Sequence, residues 1–487
     1  MPVPDIRIET CNNHPPRNDG SYILYWMHTA RRLGWNFALQ RAAEWAKKLQ
    51  RPLLIVETLP CASPHANLRH HHFALDGMAD NARSMAGHLA AYYPFVERKP
   101  GQISELLTEL GKTARMVVTD LHPLREALRD TQQLAARLPV LLERVDSNGI
   151  LPLKAADREF TTAYSLRRFL QRNVLPHLLH MPLADPLADA SLMPPPTLPT
   201  NIYEHWPAAG DDFLTGKRGA LRDLPIGQHT GSAAIKGGSD SACQALDVFL
   251  REHLALYESH RNQPQRDVTS GLSPFLRWGH ISSHQIVQRL LDHESWHPSN
   301  LSLETRGQRS GWWGLSTNAE AFLDQLITWR ELGYLFCLWR DDYDRFDGLP
   351  DWAQATLLDH AADPRPYLYN RQELDTGQTH DPLWNAAQMQ LVREGQLHNY
   401  LRMLWGKKIL QWSATPQQAM ATMIELNDRY ALDGCDPNSY SGIGWVLGRF
   451  DRAWGPQRPI FGKIRYMSSR NTARKVAVDQ YIARYQP

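Results

Sequence analysis

The first 180 residues alternate short apolar runs with longer amphipathic stretches. Residues 21–27 and 52–58 are nearly continuous apolar runs, as in buried strands, while 36–49 repeats its apolar positions with the period of a helix. A strand, a helix and a second strand at this spacing predict a βαβ unit, and therefore a parallel sheet with right-handed crossovers.

The alternation continues towards residue 144. It predicts two further helices and three further strands, namely helices over 76–92 and 104–111 and strands over 93–97, 115–119 and 139–144. We therefore predict a Rossmann-like parallel α/β domain over residues 21–180. Residues 1–20 are polar and contain Pro and Asn, and we expect a loosely held N-terminal arm there.

A segment rich in Pro, Ala and Leu follows at 181–200. It includes Pro194, Pro195 and Pro196, and three consecutive prolines forbid a helix and favour an extended linker. A long packed loop within one domain is the alternative. From residue 242 the periodicity is almost entirely helical, so we predict an all-helical domain over 201–487.

Composition narrows the function classes. The 487 residues carry a net charge of only +2, so binding of nucleic acid needs a local basic patch. Five scattered cysteines without a C-x-x-C pair suggest neither a disulfide framework nor a metal site. There is no apolar leader and no run of 18 apolar residues, so we expect a cytoplasmic protein that does not enter membranes.

One polar loop offers donors to a diphosphate. Small hydroxyls and a glycine precede a predicted helix in the run Thr269, Ser270, Gly271, Leu272 and Ser273. Backbone N–H groups and hydroxyls at such a place bind phosphate well. A plain serine N-cap is the alternative.

Aromatic and polar side chains recur at helical spacing further on. Gln325 and Trp329 are four residues apart, so both project from one helix face. Trp405 and Trp412 are seven apart, about 10 Å along a helix, and Trp384 precedes Trp405 by 21 residues. Indoles at such separations can pass an electron between the surface and a buried cofactor, although ordinary core packing gives a similar pattern.

A basic segment runs from 445 to 475. It contains one acidic residue, Asp451, and eight basic ones, namely Arg449, Arg452, Arg458, Lys463, Arg465, Arg470, Arg474 and Lys475. Trp445 and Trp454 add aromatic surface for unstacked bases. A solvated face is the alternative, but the interleaved tryptophans favour DNA.

These motifs together resemble the C-terminal half of class II DNA photolyases, in the photolyase/cryptochrome family. The resemblance implies that the helical domain binds FAD and DNA, and that reduced flavin donates an electron under blue light to a pyrimidine dimer flipped out of DNA. FAD contacts are implied for Tyr257, for the loop from Thr269 to Ser273, and for Arg402, Asn427 and Asp433.

The resemblance also assigns the remaining residues. Trp384, Trp405 and Trp412 match a photoreduction triad and Tyr369 an auxiliary tyrosine, while Asn427 faces flavin N5. Trp329 and Trp445 form the walls of the lesion pocket, with Gln325 hydrogen-bonding the lesion. Lys463 belongs to the basic segment, Arg452 and Trp454 match a loop that fills the gap in the duplex, and Arg465 orders that loop.

Two rival functions stay open. The family pattern has Glu at position 325, and Gln there is familiar from (6-4) photolyases, which use catalytic histidines, with His280 as a candidate here. A cryptochrome-like light sensor without repair is the second rival. The N-terminal domain could hold a deazaflavin or folate antenna or nothing, a metal is not expected, and we expect a monomer.

Overall fold

The computed structural model describes residues 1–188, 191–216 and 218–487. One six-stranded sheet has the order β1-β6-β5-β2-β3-β4. The strands are β1 (Ile8–Thr10), β2 (Tyr22–Met27), β3 (Leu53–Leu59), β4 (Ala91–Val96), β5 (Ala114–Asp120) and β6 (Leu142–Val145). All neighbours pair in parallel except β1, which is antiparallel to β6. The parallel strands have the doubly wound order of Rossmann-like domains, as predicted.

Continuous apolar sequence explains the middle of the sheet. Every residue of β2 and β3 is buried, because helices cover both faces of a parallel sheet. The N-terminal arm is not loosely held as we expected. β1 pairs with β6 through Ile8 and Val145, and Val3 and Arg7 are buried. Three residues of strand in a polar stretch are too few to show the alternation that reveals a longer strand.

The α-helices follow in chain order. They are α1 (Phe37–Leu49), α2 (Leu68–Ser84), α3 (Gln102–Gly111), α4 (Arg125–Arg137), α5 (Ala163–Asn173), α6 (Leu175–Leu178), α7 (Thr200–His205), α8 (Asp211–Leu214), α9 (Ser239–Val248), α10 (Tyr257–His260), α11 (Ser273–Arg277), α12 (Ser283–His293), α13 (Thr317–Leu323), α14 (Arg330–Trp339), α15 (Asp351–Asp359), α16 (Arg371–Asp375), α17 (Pro382–Glu394), α18 (Asn399–Trp412), α19 (Pro416–Tyr430), α20 (Pro437–Val446), α21 (Ser469–Lys475) and α22 (Asp479–Arg484). Short 3₁₀ and π segments connect some of them.

Two helices of the α/β part were predicted wrongly. α2 begins at Leu68, eight residues before the predicted start, because its buried face includes polar side chains such as Arg69, His71 and Asn81. α4 was missed, since its buried residues are only Thr131, Leu134 and Ala135. Both helices lack the wide apolar stripe that a periodicity analysis detects.

The chain forms two compact units. The first comprises Met1–Asp157, Asn173–Leu246 and Leu272–His293, and the second comprises Arg158–Arg172, Asp247–Gly271 and Glu294–Pro487. The first contains the whole sheet, and among the described residues the second contains no strand longer than an isolated bridge. The fold class, a Rossmann-like α/β domain followed by a helical domain, is confirmed.

The proline-rich segment belongs to the first unit by its contacts. Leu187, Leu192 and Leu198 are buried in the cores on the sheet. Residues 189 and 190 of the predicted linker lie outside the described residues. The domain limits at 20, 180 and 200 stay a prediction.

The core of the second unit lies among α17, α18, α19 and α20. Its buried side chains include Trp384, Trp405 and Trp412. None of the helices that the structure describes is long and apolar enough to cross a membrane.

Candidate active site

Three tryptophans meet inside the helical core. Asp381 caps α17 by accepting a hydrogen bond from the Trp384 N–H at 3.2 Å, with Pro382 in the first turn. Trp384 then donates from Nε1 to the backbone carbonyl of Trp405 on α18, at 3.0 Å. The three indoles are at most 2% exposed. Capping and helix spacing therefore fix these rings within a packed interior.

The order of the tryptophans in space differs from their order along α18. The ring of Trp384 lies 5.4 Å from that of Trp412, edge to face, and Trp384 also contacts Trp405 through the hydrogen bond to its carbonyl. Trp405 Nε1 donates to Gln388 at 2.9 Å. The contacts therefore run from Trp405 through Trp384 to Trp412, and the tryptophan of the neighbouring helix links the two that share α18.

Two further aromatic groups lie beyond Trp412. They are Tyr369, to which the resemblance gave an auxiliary role, and His380, which sequence reasoning left unassigned. Tyr369 is 5.3 Å and His380 5.4 Å from the Trp412 ring. Tyr367 stacks on His380 at 3.7 Å. The rings of Tyr367 and Tyr369 are parallel to within 2°, so the Tyr-x-Tyr spacing in the sequence was a usable signal for two aromatic rings that face the same way.

An ion pair joins α18 to the segment after α19. Arg402 Nη2 donates to both oxygens of Asp433, at 2.9 and 3.1 Å. The two side chains are 25% and 16% exposed, so the pair is not sealed in the core. Since one nitrogen makes both contacts, Nε and Nη1 of Arg402 can serve a ligand. The predicted pair is present, and its role beside a flavin stays a prediction.

Asn427 has a fixed amide orientation. Its Nδ2 donates to Asp428 Oδ1 at 2.9 Å, which turns the carbonyl Oδ1 away from Asp428. Asp428 is in turn held by the Cys435 N–H at 2.8 Å and the Tyr440 hydroxyl at 3.2 Å. The carbonyl is therefore the part of Asn427 that is offered as an acceptor. Sequence reasoning missed Asp428, although it directly follows Asn427.

The predicted phosphate loop precedes α11, a helix of five residues. Gly271 has φ +62°, a conformation that favours glycine, and a Cβ at this position would meet nothing within 4 Å. No side chain among the described residues caps α11, so Ser273 is not an N-cap in this structure. The boundary between the two units follows Gly271. Binding of a diphosphate by residues from Thr269 to Ser273 stays a prediction.

Tyr257 lies in an aromatic cluster of the second unit. Its ring meets Phe249 at 5.5 Å and Phe322 at 5.6 Å, both edge to face. Burial raises the pKa of the Tyr257 phenol, so it stays protonated. The contact of Tyr257 with FAD stays a prediction.

Two half-buried indoles form a wedge. The rings of Trp329 and Trp445 are 5.5 Å apart and inclined at 50°. Trp329 and Gln325 lie on a π-helix, Asp324–Trp329, rather than on the α-helix that we predicted. Four residues are slightly less than one turn of this wider helix, so both side chains remain near one face, and π segments are frequent at functional sites.

The loop after α20 places one tryptophan between two arginines. The guanidinium of Arg452 lies 4.8 Å and that of Arg465 5.1 Å from the Trp454 ring. The backbone N–H of Trp454 donates to the carbonyl of Lys463 at 2.9 Å, which closes the loop, and the indole N–H donates to Asp451 at 3.1 Å. Arg452, Lys463 and Arg465 are exposed. Cation–π contacts hold the ring while the charges face solvent.

A buried cation lies under this loop. Lys407 on α18 is 2% exposed, and its Nζ donates to the carbonyl of Val446, next to Trp445. Burial lowers the pKa of Lys407 to about 7, Asp451 opposes that shift and Arg465 adds to it. Sequence reasoning missed this residue, because a lysine on a helix is normally exposed.

His280 does not resemble a catalytic acid. It is 1% exposed in the first unit, and its Nδ1 accepts from the Gly238 N–H at 2.9 Å. Burial and three nearby arginines lower its pKa to about 3, so the ring is neutral at physiological pH. Among the residues with described positions, no cluster of His, Cys, Asp and Glu is arranged to bind a metal ion.

Comparison with known proteins gives the class first. The fold is that of photolyases: the chain matches the crystal structure of a bacterial class III photolyase from Agrobacterium tumefaciens with a TM-score of 0.68 and 17% identity, over 96% of this chain and 86% of that one. No protein-family profile matches the chain.

Curated relatives then identify the family. The chain is 35% identical to the deoxyribodipyrimidine photo-lyase of Methanothermobacter thermautotrophicus, over 98% of this chain and 97% of the relative. It is 34% identical to that of Oryza sativa subsp. japonica over 95% and 87%, and 32% identical to that of Potorous tridactylus over 96% and 81%. The chain belongs to the deoxyribodipyrimidine photo-lyase family, and the recognition made on the motifs is confirmed.

Proposed function

We propose that this photolyase splits cyclobutane pyrimidine dimers in DNA by transferring an electron from light-excited, reduced FAD to a flipped-out lesion. The observation that carries the proposal is the wedge of Trp329 and Trp445, two accessible indoles inclined at 50°. Two adjacent pyrimidines joined by a cyclobutane ring are themselves inclined, so each can lie against one indole. Because the two rings are already in contact, the proposal requires that they separate to admit the dimer.

The side chains available suit a reduced flavin. When bound, FAD supplies the light-absorbing electron donor. Arg402, held by Asp433, offers positive charge to an anionic ring system. Asn427, whose amide is oriented by Asp428, offers a carbonyl oxygen to a ring N–H. The open face above Gly271 leaves room for phosphate near Thr269 and Ser270.

Binding of the DNA backbone falls to the loop after α20. Arg452 and Arg465 flank Trp454 and remain exposed, so both can reach phosphates. Trp454 can stack in the gap that a flipped base pair leaves, and Lys463 adds charge at the base of the loop. Gln325 can donate and accept hydrogen bonds at the edge of the lesion.

The electron given to the lesion returns to the flavin after the cyclobutane ring has opened, so each repair cycle is redox-neutral. Photoreduction of oxidised flavin is a separate process, and for it we propose the path through Trp405, Trp384 and Trp412. The contacts between successive members, a 3.0 Å hydrogen bond and a 5.4 Å ring separation, support this order.

The test is light-dependent repair by the reduced protein on separate oligonucleotides, one with a cyclobutane dimer and one with a (6-4) photoproduct. The same mixtures kept in the dark are the control. Repair of the cyclobutane dimer alone supports the proposal. Repair of the (6-4) photoproduct alone would overturn the assignment of the lesion, and its acid would have to be a residue other than His280.

Repair of neither lesion by protein that binds flavin would overturn the repair function. It would indicate a light sensor, whose partner would then have to be sought. An antenna chromophore in the α/β domain, a deazaflavin or a folate, is not part of this proposal.

A further inference from the structure

The proposed tryptophan path stops inside the protein. Trp412 is 1% exposed, so a dissolved reductant does not reach it. Tyr369 and His380 are the aromatic residues next along the path, 5.3 and 5.4 Å from the Trp412 ring. Tyr367, which stacks on His380, is 49% exposed. An aromatic group therefore continues from the buried indole to solvent.

Resting on the proposed photoreduction path, we propose that His380 is the proton acceptor that lets Tyr369 reduce oxidised Trp412. The resemblance to photolyases assigned Tyr369 an auxiliary part and gave His380 none. The structure adds the contact between the Tyr369 hydroxyl and His380 Nδ1, at 2.6 Å.

The backbone N–H of His380 also donates to the Tyr369 oxygen, at 3.0 Å, so two groups of His380 meet the phenol. The proposal assigns the tautomer that carries its own proton on Nε2, in which Nδ1 accepts the phenol proton. A short O–H···N contact to a basic nitrogen prepares the phenol for proton loss.

Light-driven photoreduction removes an electron from Trp412 through Trp384 and Trp405, leaving a tryptophan radical cation. Tyr369 gives one electron to Trp412, and its phenolic O–H bond breaks as the proton moves to His380 Nδ1. The products are neutral Trp412, a neutral tyrosyl radical and protonated His380. Without a base, the phenol would have to become a strongly acidic radical cation, so the step depends on His380.

Charges around Trp412 favour this outward transfer. Lys408 Nζ lies 5.3 Å from the Trp412 ring, and a cation there disfavours positive charge that stays on the indole. Asp381 lies 3.2 Å from Lys408 and also accepts from Ser469, which keeps the lysine in place. Tyr367 offers its exposed face to a dissolved one-electron reductant, which returns an electron to the Tyr369 radical while protonated His380 returns the proton.

The test follows radicals of the protein after a laser flash on flavin-loaded, oxidised samples. Transient absorbance gives the decay of the tryptophan radical and the growth of the tyrosyl radical, and electron paramagnetic resonance identifies each. The variants are His380→Asn, which retains a hydrogen-bond acceptor without a basic nitrogen, and His380→Ala, measured with and without imidazole. His205→Asn is the matched control, because His205 is also exposed and its Nδ1 faces a backbone carbonyl at 2.9 Å.

We expect tyrosyl radical formation to be slower in D₂O than in H₂O in the unmodified protein and in His205→Asn. In His380→Asn it should slow by roughly 100-fold, as for loss of a general base. Imidazole should restore much of the rate in His380→Ala, which a purely structural role would not produce.

A tryptophan radical that decays equally fast in the unmodified protein and in His380→Asn, with no effect of D₂O, would overturn this inference and leave the tryptophan path intact. Absence of any tryptophan radical in flavin-loaded protein would overturn the path itself, and the role of His380 with it.

Discussion

Two sets of tryptophans in the helical unit are built in opposite ways. Trp384, Trp405 and Trp412 are sealed in the core, and the first two have hydrogen-bonded indole N–H groups. Trp329, Trp445 and Trp454 are half-buried. The rings of Trp329 and Trp445 are in contact with each other, and Trp454 lies between two arginines and donates from Nε1 to Asp451. Both sets consist of tryptophans, but the first lies in the packed core and the second at the protein surface.

The difference separates two kinds of work. An electron path needs rings at fixed separations in a rigid, dry surrounding, since the rate depends on distance and on reorganisation. A surface that receives flipped bases needs faces that ligand rings can cover and charges that solvent can screen. Burial thus distinguishes the proposed path from the proposed lesion and DNA surface.

The largest effect is expected from Trp405→Phe. Because Trp405 begins the proposed path, photoreduction of oxidised flavin should be lost, while repair by chemically reduced protein should continue. Flavin absorbance under blue light and repair of a cyclobutane dimer are the two measurements. Trp454→Phe, from the half-buried set of tryptophans, is the control and should retain photoreduction. Equal loss of both activities in Trp405→Phe would refute its place in the path.

Substitutions in the two sets of tryptophans should differ in their effect on the free energy of unfolding. Trp384→Ala leaves a large cavity and should cost about 3–5 kcal/mol of unfolding free energy. Trp454→Ala loses two exposed cation–π contacts and the hydrogen bond from its indole N–H to Asp451, and it should cost about 1–2 kcal/mol. Thermal unfolding of the two variants side by side measures the difference. Similar melting temperatures would mean that the Trp384 region repacks, and that the core is not rigid.

The pH dependence of stability should report Lys407, which lies where the two sets meet. Its pKa in the folded protein is about 7, below the ordinary 10.5, so the unfolded chain binds more protons between these values. The free energy of unfolding should therefore gain a contribution that rises from pH 7 towards pH 10.5. Lys407→Met should remove that rise, as measured by urea unfolding across this range. An unchanged pH profile would mean that Lys407 is charged in the fold.

DNA binding should respond to the exposed cations only. Arg452→Ala should weaken binding to damaged and undamaged duplexes alike and reduce the slope of log affinity against log salt by about 1. Arg306→Ala is the control, since Arg306 is exposed in the same unit but outside the basic segment. Titrations at several salt concentrations give both slopes. An unchanged slope in Arg452→Ala would remove this residue from the DNA surface.

Sequence reasoning reached the fold class and the residues that recur at regular spacing. The βαβ pattern predicted the parallel sheet, and the separations of Trp384, Trp405 and Trp412 pointed to one cluster. The sequence placed Trp384 on a neighbouring helix but did not show that it lies between the other two, because the crossing of α17 and α18 is a tertiary contact.

The remaining omissions have a common cause. Sequence reasoning gave no role to Asp428, Lys407 or His380, because charged and polar residue types are normally solvated. Each side chain makes its main contact with one neighbouring group. Their partners, an amide, a helix-end carbonyl and a phenol, come close only in the folded chain. Polar groups that position other groups leave no periodic signal, unlike apolar faces.

The smallest effect is expected from Gln325→Glu, which tests the residue proposed to hydrogen-bond the lesion beside Trp329. The class II pattern has Glu there, so the substitution should increase repair of the cyclobutane dimer relative to the (6-4) photoproduct. The measurement is the ratio of the two repair rates under identical light. Gln354→Glu is the control, because Gln354 is a half-buried glutamine on α15 whose amide donates to the backbone carbonyls of Asp347 and Leu349. If both variants leave the ratio unchanged, residue 325 does not read the lesion, and the wedge of Trp329 and Trp445 alone would have to account for recognition.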